Sequence, residues 1–350
     1  MKRVKEQREQ NDAAPVPAGD TPPALAGDSP PVLEIDGLGI RLPGDRAGRP
    51  ILDGVGLRVR PGESVGLVGE SGSGKSVACR SVLGLLPAGA RTSGEVRVAG
   101  RDVLTMSRPE LAGLRARQVA MVFQDPRASV NPLRRVGDFL TEGLRASGTP
   151  AAAADARALD LLDAVGIRDP RGALRRRPHE FSGGMLQRVV IAAALAAEPA
   201  LIVADEPTTA LDVTTQAEIV ALLARLRAER GTGLLFVTHD LELAATVCDR
   251  VYVMYAGRIV ETRGTDELFD RPRHPYTAGL LACTPSVEAG APPPRPIPGR
   301  PVSLAEAPPG CAFAARCAHA VPRCSEEKPA LTRHGDGLAA CHRADEGIMS

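Results

Sequence analysis

The segment Gly69-Glu70-Ser71-Gly72-Ser73-Gly74-Lys75-Ser76 joins glycines, one lysine and a hydroxyl group in the spacing G-x-x-x-x-G-K-[ST]. Lys75 is the only lysine between Lys5 and Lys328, in a chain with 43 lysine and arginine residues. A compact ammonium fits between the β- and γ-phosphate oxygens of a nucleotide, where a planar guanidinium does not. The segment therefore predicts a phosphate-binding loop whose backbone amides and Lys75 hold phosphates, while Ser76 supplies an oxygen to magnesium.

A second group of polar side chains follows an apolar run. The run Leu201-Ile202-Val203-Ala204 ends in two carboxylates, Asp205 and Glu206. In an open α/β sheet such a strand ends at the edge where ligands bind. We expect Asp205 to hold Mg²⁺ through water and Glu206 to polarise an attacking water. Taken by itself, the run is equally explained as a buried strand capped by acids.

The loop requires a strand before it and a helix after it, and the pattern predicts both. Ser64–Val68 is expected to be a buried strand and Ser76–Leu86 the helix. Further strands are predicted at 119–123, 201–204, 234–238, 251–255 and 258–261, with a hairpin turn at Ala256-Gly257. Helices are predicted at 156–165, 185–197, 214–230 and 241–247. This alternation indicates an α/β fold with a largely parallel sheet, and residues 128–196 are expected to form an inserted helical subdomain.

Composition and charge exclude several classes of protein. The 350 residues carry 43 basic and 42 acidic side chains, so we expect no basic face for nucleic acid. The longest apolar stretch, Val189 to Ala204, is interrupted by Glu198 and Pro199 and is too short to span a bilayer. The charged N-terminus lacks the apolar stretch of a secretory signal, which predicts a cytosolic protein. Its seven cysteines are then expected to be free or to bind metal.

Three more segments complete a family pattern. Phe181-Ser182-Gly183-Gly184-Met185 lies just before the Asp205 strand, Gln124 follows the strand at 119–123, and His239 follows the strand at 234–238. Together with the phosphate loop, they resemble the ATP-binding-cassette (ABC) ATPases over about residues 32–270. The resemblance implies a phosphate-loop NTPase core with an antiparallel β subdomain and a helical subdomain of the ABC type.

The same resemblance implies roles for individual residues. Gln124 is expected to sense Mg²⁺ and the γ-phosphate, and His239 to contact that phosphate. Ser182, Gly183 and Gly184 would bind the γ-phosphate of ATP held by a second cassette, since their free amides open a helix. Asp212 would lie in the loop that joins the two subunits. Family members carry an aromatic ring under the adenine, and Leu42 occupies the corresponding position here.

The C-terminal residues resemble the extension of the oligopeptide, dipeptide and nickel branch of these ATPases. His274-Pro275-Tyr276-Thr277 is followed by Cys311, Cys317, Cys324 and Cys341. Their separations fit neither a zinc ribbon nor a plant-type ferredoxin run. Relatives with such an extension are associated with a 4Fe-4S cluster, which is the first expectation. Four-sulfur zinc is the second, and unliganded cysteines the third. Cys79, Cys248 and Cys283 are expected to fill core space.

These observations predict three segments: a disordered tail at 1–31, an ABC nucleotide-binding domain at 32–272 and a cysteine-containing extension at 273–350. The resemblance implies the ATP-hydrolysing subunit of an importer for oligopeptides, dipeptides or related solutes. It would work at the cytoplasmic face of the plasma membrane with a second ATPase subunit and two permease subunits, and indirectly with a solute-binding protein. Nucleic acid would not be a partner.

Two competing interpretations remain open from the sequence. A soluble ABC ATPase of DNA or translation processes would tend to show coiled-coil insertions, two cassettes in one chain or basic arms, and none is evident. An ATP-regulated iron–sulfur sensor would use the four cysteines as its main functional group.

Overall fold

The computed structural model describes residues 30–43, 50–209, 211–284 and 293–346. The tail predicted at residues 1–31 therefore lies almost wholly outside the described residues, as do Ala210 and the first part of the proline-rich segment that begins at Ala291. Within the described ranges, strands and helices alternate along the chain, and the strands form two sheets. The predicted α/β class is confirmed.

The strands and helices are numbered separately in chain order. The strands are β1 Leu33–Arg41, β2 Leu52–Val59, β3 Ser64–Val68, β4 Arg91–Val98, β5 Arg101–Asp102, β6 Val119–Val122, β7 Leu201–Asp205, β8 Gly233–Thr238, β9 Arg250–Tyr255, β10 Arg258–Gly264, β11 Thr332–His334 and β12 Gly337–Ala339. The helices are α1 Lys75–Val82, α2 Arg108–Arg117, α3 Pro126–Ser129, α4 Val136–Ala146, α5 Ala151–Ala164, α6 Pro170–Arg175, α7 Gly183–Leu195, α8 Val213–Arg230, α9 Leu241–Val247, α10 Thr265–Asp270, α11 Pro275–Cys283 and α12 Pro322–Glu326.

The large sheet has the strand order β11-β12-β10-β9-β3-β8-β7-β6. The pairs β9/β3, β3/β8, β8/β7 and β7/β6 are parallel. Every residue of β3, β7, β8 and β9 is buried, as expected for parallel strands covered on both faces. Continuous apolar runs in the sequence therefore predicted these strands well. The predicted turn at Ala256-Gly257 joins the antiparallel pair β9 and β10, and both residues have positive φ.

The small sheet has the order β2-β1-β4-β5, with β1 antiparallel to both β2 and β4. Its inner face carries Leu33, Ile35, Leu57, Val59 and Val96, which are almost completely buried. This is the antiparallel subdomain that the family resemblance implied. The individual strands were not located from the sequence, because β1 and β2 contain glycines and irregular register and the first half of β4 is exposed.

The residues between β6 and β7 form the helices α3 to α7, with a 3₁₀ turn at Pro178–Glu180. Among the described residues this segment contains no strand, so it is helical, as the family resemblance implied. Its helices pack through buried side chains that include Leu140, Leu161, Leu162 and Leu186. Sequence periodicity located α5 and α7 but missed α4 and α6.

The C-terminal extension is continuous with the large sheet. Strand β12 pairs with β10, where Glu261 lies opposite Ala339 and Thr262 opposite Leu338. The fully buried carboxylate of Glu261 accepts hydrogen bonds from the backbone N–H groups of Arg273 (2.7 Å) and His274 (2.9 Å), just before α11. A buried carboxylate needs such donors to offset its desolvation. The extension therefore shares both a sheet and a buried polar contact with the preceding domain.

Glycine is required where the phosphate loop leaves β3. A Cβ atom on Gly69 would collide with the carbonyl oxygen of Met254 in the neighbouring strand β9, and it would lie 3.0 Å from Ser73 Oγ. The collision is with backbone in a fully paired strand, which cannot move without disturbing the sheet. The loop thus lies directly against the end of β9.

We expect Gly69→Ala to lower the free energy of unfolding by about 1–3 kcal/mol, because the added methyl group overpacks this contact. The control is Gly143→Ala in α4, where a Cβ meets nothing within 4 Å. That change should raise stability by about 0.5–1 kcal/mol, since alanine favours helix. Urea unfolding of both variants measures the two effects, and a Gly69→Ala protein as stable as the parent would contradict the close packing.

Candidate functional site

The phosphate loop has a conformation that only glycine adopts easily at two positions. Gly72 has φ +82° and Gly74 has φ +109°, directly before α1 begins at Lys75. The loop is closed by a bond from the Ser73 amide to the carbonyl oxygen of Glu70 (3.3 Å). It is held to the β9–β10 turn by a bond from the Gly257 amide to Ser73 O (2.8 Å). The amides at the start of α1 are thereby available to an anion.

Lys75 lies inside the curve of this loop. Its Nζ donates to the carbonyl oxygens of Gly69 (2.6 Å) and Glu70 (3.1 Å), and it is 4.0 Å from Glu206 Oε1. The residue is only 4% exposed, and burial lowers its pKa, although the nearby carboxylates of Glu206 and Asp205 oppose this shift. An ammonium held in this way is poised to bind phosphate oxygens with little side-chain reorganisation.

Asp205 and Ser76 lie next to each other at the carboxyl end of the sheet. Ser76 Oγ donates to Asp205 Oδ1 at 3.1 Å. Asp205 is the last residue of β7 and is 5% exposed; burial raises its pKa. A hydroxyl and a carboxylate are oxygen ligands of the kind that Mg²⁺ takes, with water and phosphate completing its shell. The two residues therefore fit the predicted magnesium role.

The carboxylate of Glu206 is the meeting point of the site. Its Oε2 accepts a hydrogen bond from Thr209 Oγ1 (3.0 Å) and lies 3.4 Å from Gln124 Nε2 and 3.3 Å from His239 Nδ1. The backbone of Glu206 has φ +47°, a strained value for a residue with a side chain. Its amide donates to Val237 O (2.9 Å), which holds this conformation against β8. Sequence reasoning missed Thr209 as a partner.

One cleft joins seven of the predicted nucleotide-site residues. Its lining among the described residues consists of Ile51, Ser71, Gly72, Gly74, Lys75, Ser76, Val77, Gln124 and Glu206. Leu42, at the position where the family carries an aromatic ring, does not line this cleft. The apolar side chains of its lining are those of Ile51, which directly precedes β2, and Val77 in α1. An isoleucine outside any recognised motif gave no sequence signal for this position.

The Ser182-Gly183-Gly184 segment lies outside that cleft. Ser182 caps α7, and its Oγ accepts from the Met185 amide at 3.3 Å. A Cβ on Gly184 would collide with the methyl group of Thr215 in α8, so the segment packs tightly on the next helix.

Asp212 caps that helix in the same way. Its carboxylate accepts from the amide (3.0 Å) and the hydroxyl (2.8 Å) of Thr215, and these bonds lower its pKa. The residues predicted to act on a second subunit, Ser182, Gly183, Gly184 and Asp212, thus form one group through Thr215. This group is separate from the cleft that holds Lys75.

The side chain of Glu70 binds a partner outside the phosphate loop. Its carboxylate is bound in a two-point ion pair by Arg316, with Nη1 to Oε2 at 2.7 Å and Nη2 to Oε1 at 3.0 Å. Its backbone still belongs to the loop. Arg316 comes from the C-terminal extension, between two of the four clustered cysteines, and was not recognised from the sequence.

The four cysteines of the extension line one small cavity, together with His274, His319 and His342. Backbone amides point at the sulfurs: His319 N–H donates to Cys317 Sγ and Arg343 N–H to Cys341 Sγ, each at 3.4 Å. Burial raises the pKa of Cys311 and of Cys317, and raises that of Cys341 to about 11.

The predicted metal site is not confirmed. Among the residues that the structure describes, no group of three or more His, Cys, Asp or Glu side chains is arranged to hold a metal ion. His334 pairs with Asp345 at 2.7 Å and does not line the cavity. The four thiols nonetheless line one cavity, and two of them accept N–H···S bonds.

The three other cysteines do not join this cavity. Cys79 and Cys248 are buried in the core, as predicted, and burial raises the pKa of both thiols. Cys283 is half-buried at the end of α11, and its Sγ donates to the carbonyl oxygen of Arg295 at 3.1 Å.

None of the helices in the described part of the chain is long and apolar enough to cross a bilayer.

Comparison with known proteins identifies two regions of the chain. The family described as "ABC transporter" matches residues 52–209, and the family described as "Oligopeptide/dipeptide transporter, C-terminal region" matches residues 260–324. The second match covers three of the four clustered cysteines and ends before Cys341.

Several curated proteins resemble most of the chain. A probable peptide ABC transporter ATP-binding protein of Sinorhizobium fredii is 44% identical over 321 residues, or 90% of this chain and 96% of that protein. The oligopeptide transport ATP-binding protein OppD of Escherichia coli is 44% identical over 83% of this chain and 87% of its own length. The dipeptide transport ATP-binding protein DppD of Bacillus subtilis is 43% identical over 85% and 91%.

Solved structures share the fold. A dimeric post-hydrolysis state of the ATP-binding cassette MJ0796 with ADP and Pi aligns with a TM-score of 0.59 at 28% identity, over 67% of this chain and 98% of that one. The protein cbiO1 of Clostridium perfringens, part of the ABC transporter complex cbiONQ, aligns with a TM-score of 0.60 at 28% identity, over 69% of this chain and 91% of that one.

Proposed function

This chain belongs to the ABC transporter ATP-binding proteins, and we propose that it is the ATP-hydrolysing subunit of an importer for oligopeptides or dipeptides. One observation carries the proposal. Four side chains converge at the carboxyl end of β3 and β7, where a nucleoside triphosphate would lie: those of Lys75, Ser76, Asp205 and Glu206. The branch is favoured by the peptide-transport relatives, whose similarity continues through the extension. No feature of the described residues favours DNA or translation work.

Nucleotide binding is assigned to the loop and its surroundings. The amides at the start of α1 and the ammonium of Lys75 would bind the β- and γ-phosphates. Ser76, Asp205 and Gln124 would hold Mg²⁺, the first and last directly and Asp205 through water. The metal supplies charge neutralisation at the phosphates when bound. Ile51 would pack against the base.

Hydrolysis is assigned to Glu206 as the general base for water. Its carboxylate lies within 4.0 Å of Lys75 Nζ and within hydrogen-bond distance of Thr209, so the side chain is fixed at the cleft. His239 and Gln124, both within 3.5 Å of the same carboxylate, would contact the γ-phosphate and the metal. Fixed donors aimed at developing negative charge are the main source of catalysis in phosphoryl transfer.

A second ATPase subunit, either a copy of this chain or a related one, would complete the site. Ser182, Gly183 and Gly184 present the start of α7 away from the chain's own cleft, where they can bind the γ-phosphate held by the partner. Asp212 caps α8 in the neighbouring segment, and Val213, the first residue of that helix, is 81% exposed.

The membrane partners would be two permease subunits, and this chain would bind them at the cytoplasmic face. A solute-binding protein would deliver the solute to the permeases from the other side of the membrane. The segment from Asn131 to Leu140 in the helical subdomain is the proposed contact. Leu133 lies there with 82% of its surface exposed, next to Arg134 and Arg135. Closure of the ATPase dimer would move this segment and so transmit force to the permease.

The cysteine cavity is proposed to hold a 4Fe-4S cluster through Cys311, Cys317, Cys324 and Cys341, with zinc as the alternative metal. A bound cluster would cross-link the extension and supply a redox-active group. The four thiols face one cavity, and the N–H···S bonds to Cys317 and Cys341 would stabilise their thiolate forms. The interpretation as an iron–sulfur sensor has no observation of its own beyond this cavity.

We expect Glu206→Gln to bind MgATP normally but to hydrolyse it about a hundredfold more slowly or worse, because an amide cannot accept the proton of the attacking water. The ATP-bound dimer should then persist. Phosphate release measures turnover, and light scattering with MgATP measures the dimer.

The matched control for this substitution is Glu242→Gln, in the first turn of α9, which neutralises an exposed carboxylate near His239 but outside the cleft. That variant should turn over ATP at the parental rate. If Glu206→Gln also hydrolysed ATP at the parental rate, the assignment of the base would be wrong.

Protein purified without oxygen should be brown and contain iron, because four thiolates in one cavity suit an iron–sulfur cluster. Elemental analysis and visible absorbance test this. Cys317→Ser should lose the iron and the colour, whereas Cys283→Ser, which lies outside the cavity, should keep both. Colourless protein with stoichiometric zinc, or with no metal, would reject the cluster.

A further inference from the structure

Arg316 links the C-terminal extension to the phosphate loop across 246 residues of sequence. Its guanidinium binds both carboxylate oxygens of Glu70, the second residue of the loop, at 2.7 and 3.0 Å. The Arg316 side chain is 5% exposed and that of Glu70 is 24% exposed. Two parallel N–H···O bonds in a largely buried setting form the strong and geometrically specific kind of ion pair.

The guanidinium of Arg316 is fixed from several sides. Its Nε donates to the carbonyl oxygen of Pro298 at 2.9 Å, and its Cζ lies 5.8 Å from the ring centres of Tyr255 and Phe313. The bonds to Glu70 raise the pKa of Arg316, which keeps it charged. Contacts with residues other than Glu70 therefore fix the position of the Arg316 guanidinium. Its ion pair in turn restricts the Glu70 carboxylate to one position.

Glu70 has all three of its polar groups engaged. Its N–H donates to the hydroxyl oxygen of Tyr276 at 2.8 Å, and its carbonyl oxygen accepts from Lys75 Nζ at 3.1 Å and from the Ser73 amide at 3.3 Å. Arg316 and Tyr276 both belong to the extension. The extension thus fixes both the backbone and the carboxylate of Glu70, whose carbonyl oxygen also accepts a hydrogen bond from Lys75.

A carboxylate at this position has an electrostatic consequence for the nucleotide. The loop binds a highly charged anion, so an unpaired Glu70 carboxylate two residues from the glycine turn would repel it. It would also compete with phosphate oxygens for Lys75. The Arg316 ion pair removes both effects, because it neutralises the carboxylate and holds it away from the cleft, whose lining does not include Glu70.

We propose that Arg316 is a positioning residue for ATP binding, which keeps the Glu70 carboxylate neutralised and turned away from the phosphates. It acts through Glu70 and does not touch the nucleotide itself. Residues of the extension, outside the recognised nucleotide motifs, therefore determine how well this chain binds ATP.

The test measures the dissociation constant of MgATP for the full chain, by equilibrium dialysis, in Arg316→Met and in the double variant Arg316→Met/Glu70→Gln. We expect Arg316→Met to weaken binding about tenfold, the size of effect that one like charge near the site produces at an intermediate effective dielectric constant. Adding Glu70→Gln removes the unpaired charge, so the double variant should recover most of the lost affinity. A purely packing role of Arg316 predicts no such rescue.

The control is Arg300→Met, which breaks an exposed ion pair with Glu306 in the same extension and should leave MgATP binding unchanged. Circular dichroism verifies folding of every variant. If Arg316→Met does not fold, Arg316→Lys replaces it, with a smaller loss of affinity and the same rescue expected.

The proposal is overturned if the Arg316 variant binds MgATP as tightly as the parent. It is equally overturned if the double variant binds no more tightly than the single one, since the loss would then come from packing. An Arg300→Met variant with the same loss would also reject it, because the effect would then not be specific to Glu70.

Discussion

The parallel pairing of β3, β8 and β7 is the constraint on which the site depends. In this register Val68 lies opposite Thr238, and Asp205 lies opposite Val237. The three strands therefore end at the same level of the sheet edge. There β3 leads into the phosphate loop, β8 into His239 and β7 into Glu206. A slip of one residue would move Asp205 by about 3.3 Å along the strand. That is more than enough to break its 3.1 Å contact with Ser76.

The elements that set this register were also the easiest to predict. Strand β3 has the bounds that the sequence predicted, and β8 differs by one residue at its start. Parallel strands that are buried on both faces appear in the sequence as short, continuous apolar runs, whichever elements pack against them. The phosphate loop is local as well, since Gly69 to Ser76 carry the whole motif. The positions of Gln124 and His239 followed from family resemblance applied to the ends of two such strands.

What sequence reasoning missed depends on contacts between distant segments. Ile51 lines the cleft because the small sheet packs beside the loop, and nothing in its local sequence indicates this. Arg316 lies 246 residues from Glu70, in a cysteine-containing segment, and no local pattern links the two residues. Each of these contacts is made by tertiary packing, which the pattern of a single strand or helix does not contain.

The extension also builds part of the wall behind the phosphate loop. Tyr255 ends β9, Tyr276 lies in the first turn of α11, and Phe313 lies two residues after Cys311; their rings pack with centres 4.6 to 5.4 Å apart. Arg316 lies against two of these rings, and the Tyr276 hydroxyl accepts from Glu70. Aromatic packing of this kind is cooperative with the polar contacts at its border, because a shift of one ring moves the groups that it supports. The cysteine segment and the loop therefore share one packed cluster, so a displacement of either one alters the contacts of the other.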